Sequence, residues 1–300
     1  MKAVSRITFL NDDGEKFFGE GPARLLRGID ETGSLRAAAI SMGMAYTKAL
    51  KLMKQAENAL GFSLITRTTG GKAGGGSILT PEGIRWLQQY EAYRDACIKA
   101  NQELYRQFFP KLGCVIMASG LGKRFGSNKL MADFHGKPMV QWALRATDGL
   151  FSKRVVVTRH ESVAALYRKQ RVDVVLHDLP NRNDTIRLGL EALGDLDACM
   201  FLPGDQPLLR QETVAMLLEN WKENPDRIVR PAYEDTEGSP VLFPAWAFPE
   251  LKALPEGKGG GVVIKNHPHE VYRVSVSNPF ELADADTPET LELLKGLCHD

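Results

Sequence analysis

The stretch from Val115 to Lys129 reads V-I-M-A-S-G-L-G-K-R-F-G-S-N-K and brings backbone amides and mobile cations together. Cys114 to Met117 is a short apolar run, the pattern of a buried parallel strand. It passes directly into Ala118, Ser119, Gly120, Leu121, Gly122, Lys123, Arg124, Phe125 and Gly126. Small residues there let the backbone turn tightly, so that its N–H groups form a concavity that suits an anion. Arg124 and Lys129 add positive charge suited to a polyphosphate. The spacing of Gly120, Gly122 and Gly126 is not that of G-x-G-x-x-G, and no Gly-Lys-Ser/Thr closes a Walker A loop. Three glycines alone read first as a turn flanked by surface cations.

Acids that complement such a loop lie far away in the chain. The pattern predicts a strand from Ala198 to Leu202, running into Pro203-Gly-Asp-Gln-Pro207. Open α/β sheets bind ligands at the carboxyl ends of their strands, which is where Asp205 falls. Triphosphate chemistry needs a divalent cation, and Mg²⁺ is usually held by one or two carboxylates plus phosphate oxygens and water. Asp284 and Asp286 are two residues apart, hence on one face of an extended segment. Either is a candidate second ligand, Asp286 first; an N-cap for a helix opened by Thr287-Pro288 is the alternative for Asp286. His267 and His269 are the one close histidine pair, with no acid partner evident. The cysteines Cys97, Cys114, Cys199 and Cys298 contain no C-x-x-C pair, which argues against a zinc or redox motif; Cys114 and Cys199 sit in apolar runs as small core residues.

The opening stretch resembles the Ala-x-Gly-x-x-x-Arg-Phe/Met-Gly-x-x-Lys-Leu signature of the nucleotidyltransferases that make molybdopterin dinucleotides. The wider superfamily includes sugar-phosphate and methylerythritol-phosphate nucleotidyltransferases. The resemblance implies that Ala118 to Arg124 and Lys129 wrap the triphosphate of an NTP, with Arg124, Lys129 and Asp205 catalytic. It also implies Mg²⁺ on Asp205 with Asp286 or Asp284. Gly204-Asp-Gln-Pro-Leu208 resembles the cytidylyltransferase version of the metal-binding motif, and the Cys-Asp, Gly-Gly and Asp-Lys-Gly features of the guanylyltransferase version are missing. Glu237 to Phe243 resembles Gly-His-Pro-Val-Leu-Phe with Ser239 in place of His. Glu256 to Ile264 resembles the Gly-Asp-x-Gly segment with Lys258 in place of its acid, and otherwise reads as a flexible glycine loop. Asp284-Ala-Asp-Thr-Pro-Glu-Thr290 resembles the closing Asp-Ile-Asp-Thr-Pro motif. Asn181 to Leu190 departs from the Gly-Met-Ser-x-Ser-Leu of molybdopterin cytidylyltransferases and is nearer the Arg-x-Asp-Ser-Val of methylerythritol-phosphate cytidylyltransferases, with Thr185 keeping the hydroxyl that meets the nucleotide.

The elements that must hold these residues alternate, strand then helix, after Pro110-Lys111. Helices are expected from Pro138 to Ala146, Ser162 to Lys169 and Asp184 to Leu193, and strands from Arg154 to Thr158 and Val172 to Leu176. This indicates an α/β sheet flanked by helices. The chain of 300 residues suits two domains, here 1–110 and 111–300. Residues 1–110 carry 15 Lys and Arg against 11 Asp and Glu, and residues 111–300 carry 23 against 26. The basic front half permits nucleic-acid binding.

In that front half, Arg6 to Leu10 and Phe17 to Gly19 are short strands around an Asn-Asp-Asp-Gly turn. Pro22 opens a helix through Leu25, Leu26 and Ile29, ending at Thr32-Gly33. Ser34 is the N-cap of a helix from Leu35 to Ile40. The turn Ser41-Met-Gly43 leads to a longer helix from Met44, stopped by Gly61. Two helices joined by a short Gly-containing turn are the helix-turn-helix plan, which places Tyr46, Thr47, Lys48 and Lys51 where a recognition helix meets base edges and phosphates. Phe62 to Thr66 and Ser77 to Leu79 pair as a wing around Thr69 to Gly76, which carries Lys72. Pro81 opens a last helix, with Trp86, Leu87, Tyr90, Ala96 and Cys97 available for packing or dimerisation. A small helical domain with a glycine linker is the plainer alternative. Phe18-Gly-Glu-Gly-Pro-Ala-Arg-Leu-Leu, Thr32-Gly-Ser-Leu-Arg-Ala-Ala-Ala, Thr69-Gly-Gly-Lys-Ala-Gly-Gly-Gly and Leu79-Thr-Pro-Glu-Gly83 together resemble the winged-helix domain of molybdate-responsive regulators, similar to LysR-type N-terminal domains. That resemblance implies a dimer on DNA, contacting it through Arg36, Tyr46, Thr47, Lys48, Lys51 and Lys72. No segment resembles the molybdate-binding domain of those regulators.

The expected protein is therefore a Rossmann-like three-layer nucleotidyltransferase domain with a mostly parallel sheet, behind a winged helix-turn-helix domain. The resemblances imply transfer of CMP from CTP to the phosphate of a molybdopterin-type cofactor, with a fused DNA-binding regulator. The alternatives are GTP or another phosphorylated acceptor, or a regulator whose second half senses nucleotide or cofactor without turnover. No apolar stretch reaches bilayer length, and the first residues lack the apolar core of a secretory leader, so no membrane partner and a cytoplasmic location are expected.

Overall fold

The structure, a computed structural model, describes residues 3–67, 76–120, 122, 125 and 128–297. Leu121, Lys123, Arg124 and Gly126 of the loop, Lys72 with the glycine tip, and Cys298 lie outside the described residues. The chain divides into two compact units, Met1–Tyr105 and Arg106–Asp300.

The first unit comprises β1 (Thr8–Leu10), β2 (Lys16–Gly19), α1 (Glu20–Thr32), α2 (Leu35–Ser41), α3 (Tyr46–Leu60), β3 (Ile65–Arg67), β4 (Ser77–Leu79) and most of α4 (Pro81–Phe108). Helix α1 starts before Pro22, which sits in the first turn, where helix N–H groups have no intrahelical partner and a missing one costs little. Gly33 closes α1 in the left-handed conformation (φ 68°), and the Ser34 hydroxyl caps α2 by accepting from the Ala37 amide. Phe18, Leu26, Ile29, Leu35, Ala39, Ala49, Met53 and Tyr90 meet in one core. The wing strand β3 starts three residues later than the apolar run because Glu57 Oε1 accepts from the amides of Leu64 and Ile65 at 2.9 and 3.3 Å. Those amides tie the run to α3 and leave Ile65↔Leu79 as the first rung of the ladder.

The second unit continues with β5 (Leu112–Ala118), β6 (Asp133–Phe134), β7 (Lys137–Pro138), α5 (Val140–Ala146), β8 (Lys153–Thr158), α6 (Glu161–Lys169), β9 (Asp173–Leu176), α7 (Arg182–Leu193) and β10 (Ala198–Pro203). It closes with α8 (Gln211–Glu223), β11 (Ile228–Tyr233), β12 (Thr236–Glu237), β13 (Val241–Pro244), α9 (Phe248–Lys252), α10 (Gly261–Asn266), β14 (Val271–Ser275) and α11 (Pro288–Leu297). Among the described residues, eight strands form one sheet in the order β12-β11-β13-β10-β5-β8-β9, with β14 beside β11. The run β10-β5-β8-β9 is parallel, and β13 turns the sheet antiparallel at its other side.

Side chains alternate across a strand, and β5 and β10 show the consequence. Cys114, Ile116, Met200 and Leu202 enter one core with Val140, Tyr167, Leu217 and Leu291. Val115, Cys199 and Phe201 enter the opposite core with Ile186, Leu190, Leu251 and Val263. Helices thus cover both faces of a mostly parallel sheet, giving three layers. Strand order runs β9-β8-β5-β10, so the chain reverses direction across the sheet between β5 and β10. That is the switch point at which α/β sheets open a crevice.

Two local expectations change. Residues 133–138 form a hairpin, turned by His135 and Gly136 at positive φ, and the Met139 amide donates back to Ala132; helix α5 therefore starts at Val140 and not at Pro138. The glycine run after Glu256 is partly helical, because α10 opens at Gly261. Among the described residues no helix is long and apolar enough to cross a membrane.

Gly189 shows how closely α7 lies on β5. A Cβ there would meet Val115 Cγ2 at 2.6 Å and Cγ1 at 2.7 Å. Valine is branched at Cβ and cannot swing aside. We expect Gly189→Ala to destabilise the second unit by about 1–3 kcal/mol, measured as a lower urea midpoint with unchanged slope.

Candidate active site

The loop after β5 is held from below by neighbouring strands. Thr158 Oγ1 donates to Ala118 O at 2.8 Å, Ser119 Oγ donates to Val157 O at 3.1 Å, and the Gly204 amide donates to Met117 O at 3.0 Å. Gly122 has φ 56°, the left-handed conformation that favours glycine. Ser119 Oγ also lies 2.9 Å from His177 Nε2. Burial, then Arg159, pushes the His177 pKa down, which keeps the ring neutral.

Lys129 is placed by its neighbour. Leu130 is buried in the core beneath the sheet, and Asn128 Oδ1 caps the short 3-10 turn by accepting from the Leu130 amide. This leaves Lys129, 6% exposed, pointing its ammonium at two carboxylates. Lys129 Nζ donates to Asp205 Oδ2 at 2.5 Å and to Asp286 Oδ1 at 2.9 Å. Burial alone lowers the Lys129 pKa, but Asp205 and Asp286 together outweigh it and raise it. Asp284 is the third acid. Burial first, and then the charge of Asp205, pushes its pKa up, against the opposing hydrogen bond from Gln206.

The acids arrive from two segments stitched together. Gln206 Nε2 donates to Asp284 Oδ1 at 3.0 Å and to Leu282 O at 3.1 Å, and the Ala285 amide donates to Asp205 O at 2.9 Å. Glu281, 1% exposed, accepts from Arg210 Nε at 2.9 Å, from Arg210 Nη2 at 2.6 Å and from the Thr213 hydroxyl. The N-cap of α11 is Thr287, whose hydroxyl accepts from the Thr290 amide. Asp286, one residue before it, accepts from Lys129.

These side chains line a cavity of about 590 Å³ at the switch point. Met117, Ser119, Gly120, Gly122, Lys129, Thr185, Asp205, Asp284 and Asp286 all reach it. Ala118 does not line it and packs in the core instead. Thr185 comes from α7, whose start is set by a capping box between Asn181 and Asp184. Arg159, Arg182 and Ser239 line the cavity too. Arg159 directly follows β8, so its place at a strand's carboxyl end was a readable signal. Gln206 and Glu281 had no local signature, since their partners lie more than 60 residues away.

Among the described residues no three His, Cys, Asp or Glu side chains converge closely enough to enclose a metal by themselves. The residues nonetheless fit a divalent cation of the kind that completes its shell with phosphate oxygens and water. The Lys129 ammonium stands in for one between Asp205 and Asp286, and among the described residues Asp284 makes no ion pair. The histidine pair lies elsewhere, and His267 does have an acid partner: its Nε2 is 2.8 Å from Glu250 Oε2.

In the first unit, Arg36, Tyr46, Thr47, Lys48 and Lys51 are all exposed. The Arg36 guanidinium lies over the Tyr46 ring, 5.4 Å from its centroid, joining α2 to the start of α3.

A three-layer sheet with an acid and an ammonium at its switch point is the architecture of a nucleotidyltransferase. Residues 114–271 match the MobA-like NTP transferase domain, and the chain belongs to that family. Residues 23–84 match the lysR family of bacterial regulatory helix-turn-helix proteins. The chain is similar to the molybdenum-pterin-binding protein MopB of Rhodobacter capsulatus, 41% identical over 68 residues, or 23% of this chain and 25% of that protein. It is 29% identical over 111 residues to a probable molybdenum cofactor guanylyltransferase of Aquifex aeolicus, covering 37% and 54%. It is 30% identical over 115 residues to the 2-C-methyl-D-erythritol 4-phosphate cytidylyltransferase of Endomicrobium trichonymphae, covering 36% and 52%. The chain thus spans between a quarter and about half of the length of these relatives. Rv0371c of Mycobacterium tuberculosis shares the fold, with a TM-score of 0.57 at 21% identity over 62% of this chain and 98% of that one. The same protein in complex with manganese matches with a TM-score of 0.53 at 20% identity, covering 63% and 100%.

The clamp of Glu281 on Arg210 and Thr213 holds the segment that delivers Asp284 and Asp286. We expect Glu281→Ala to cost about 2–4 kcal/mol, as for a buried hydrogen-bonded carboxylate. Urea unfolding measures the loss, and amide exchange should quicken first in residues 279–287.

Proposed function

We propose that the second unit transfers CMP from CTP to the phosphate of a molybdopterin-type cofactor, and that the first binds DNA as part of a homodimer. The domain assignment is residues 1–110 for DNA and 111–300 for transfer. The observation that carries the transfer reading is the Lys129 ammonium lodged between Asp205 and Asp286 in a cavity beside the loop after β5.

In this reading an oxygen of the acceptor phosphate attacks the α-phosphate in line. The bond from the α-phosphorus to the bridging oxygen breaks, and pyrophosphate leaves with its electron pair. The attacking oxygen is already anionic, so no strong base is needed, and catalysis reduces to positioning and charge neutralisation. Mg²⁺ on Asp205 and Asp286, with Asp284 beside them, would supply charge neutralisation at the α-phosphate. Lys129 and Arg124, with the amides of residues 119–124, hold the outer phosphates, and Thr185 offers its hydroxyl to the nucleoside. Cytidine is supported by Gly204-Asp-Gln-Pro207, and a cytidylyltransferase is among the relatives. A guanylyltransferase is another, so the base is tested directly: pyrophosphate release is assayed with each NTP, and CTP should exceed GTP.

Asp205→Asn keeps shape and removes charge. We expect it to lower the rate of pyrophosphate release by at least about a hundredfold, and near-parental turnover would remove Asp205 from the mechanism.

For the DNA reading, Lys48 and Lys51 stand exposed near the start of α3. Tyr93, Leu104 and Phe108 leave 53%, 52% and 75% of their surface exposed along α4, as an apolar edge for a second copy. The double variant Lys48→Ala/Lys51→Ala should weaken a gel shift about uniformly across DNA sequences and reduce its salt dependence. An unchanged shift would exclude α3 as the reading helix.

A further inference from the structure

Two imidazoles stand behind the loop that follows β5. His177 Nε2 lies 2.9 Å from Ser119 Oγ, and His160 Nε2 lies 2.9 Å from Gly120 O. The rings thus meet consecutive residues of the loop. Neither ring is part of the cavity lining. Both histidines are anchored at one residue, Thr158 at the end of β8, which is 0% exposed. Its hydroxyl donates to Ala118 O at 2.8 Å and accepts from the His160 amide at 3.1 Å. Its carbonyl accepts from the His177 amide at 3.1 Å. A third tie meets the far end of the loop, where Asn128 Nδ2 donates to the Ser162 hydroxyl at 3.2 Å. All three ties come from chain just beyond β8 and β9, on the side of β5 opposite β10 and Asp205.

The partners dictate which nitrogen carries each proton. Gly120 O can only accept, so His160 Nε2 is an N–H. The single hydroxyl proton of Ser119 goes to Val157 O at 3.1 Å, so His177 Nε2 donates as well. His177 Nδ1 is then the bare nitrogen, buried and without a hydrogen-bond partner among the described residues. A proton there would find no acceptor. It would also sit near Arg159 and Arg187, with Asp178 and Asp184 offsetting part of their charge. His177 is therefore a neutral ring with one N–H, aimed at the loop. A bare buried acceptor lowers stability. A phenyl ring of similar shape would avoid that cost, but it would bring Ser119 no donor. At Gly120 the gain is directional, because a trans peptide is planar: fixing its carbonyl fixes the N–H that shares the plane.

We propose that His177 and His160 are positioning residues of the nucleotide loop, holding Ser119 and Gly120 from behind so that the loop amides are arrayed before a polyphosphate arrives. The proposal rests on the transferase reading for the identity of the ligand, and adds the two groups that preorganise its seat. The outer phosphates are held alike in the bound substrate and in the transition state. Losing that preorganisation therefore raises KM and leaves kcat in place.

Glutamine and asparagine separate reach from chemistry. The amide nitrogen of glutamine falls near the place of Nε2. That of asparagine falls near the place of Nδ1, short of the loop. Full-length parent, His177→Gln, His177→Asn, His160→Gln and His160→Asn are titrated calorimetrically with CTP and with GTP, each with Mg²⁺. Each asparagine variant should bind the preferred nucleotide at least about fivefold more weakly, and each glutamine variant should stay within about twofold of the parent. Pyrophosphate release should show KM for that nucleotide raised and kcat within about twofold. Equal affinity in the asparagine and glutamine variants of either histidine overturns its role. So does a fall in kcat alone, the mark of a smaller folded fraction. Proton–nitrogen correlation spectra of the parent decide the point without any variant. Both rings should be Nε2–H tautomers at neutral pH, and an Nδ1–H tautomer at His177 overturns the proposal. A parent that binds nucleotide but releases no pyrophosphate defeats the transferase reading, while the affinity comparison still judges the histidines. A parent that binds neither nucleotide overturns both.

Discussion

One ammonium between two carboxylates governs the second unit. Lys129 is almost wholly buried, and a buried lysine without a partner would shed its proton. Asp205 and Asp286 keep it charged. In return it holds the 3-10 turn after the loop, the end of β10 and the segment before α11 against each other. Its single charge faces three acids, and Asp284, pressed by burial and by Asp205, registers the surplus. Arg159 and Arg182 line the same cavity, so among the described residues the crevice as a whole sets three cations against three acids, and the surplus of negative charge is local to Asp284.

The scaffold around it works by alternation. Residues one apart on β5 and β10 feed different cores, so the two strands flanking the crevice are fixed on both faces. Close packing extends to Gly189 against Val115, where the missing side chain lets α7 lie on the sheet. Thr185 and Arg182 ride on that helix, and their distance from Asp205 is set by this contact. Rigid elements behind, and a loop of small residues in front, are what a preorganised anion site requires.

Much of this was legible in the chain. The apolar run from Cys114 ended where a strand ends, Ser34 and Gly33 marked helix boundaries, and Asp205 lay at a strand's carboxyl end. What escaped depended on partners remote in sequence. The apolar run at Phe62 looked like a strand throughout, but Glu57 captured its first amides. Pro138 looked like a helix start, but the hairpin of residues 133–138 used it. The bond of Gln206 to Asp284 spans 78 residues, and no window of sequence contains both. His267 hid its acid partner for the same reason, with Glu250 on another turn of chain.

Lys129 and Asp286 are separated by 157 positions. A ribosome therefore finishes the loop, the central strands and Asp205 long before the strap that carries Asp284 and Asp286 emerges. Contacts of such long range form late, after the entropy of closing the intervening chain has been overcome. The crevice can thus become competent only once nearly the whole unit has been made, so nascent fragments should carry a folded sheet with an incomplete centre.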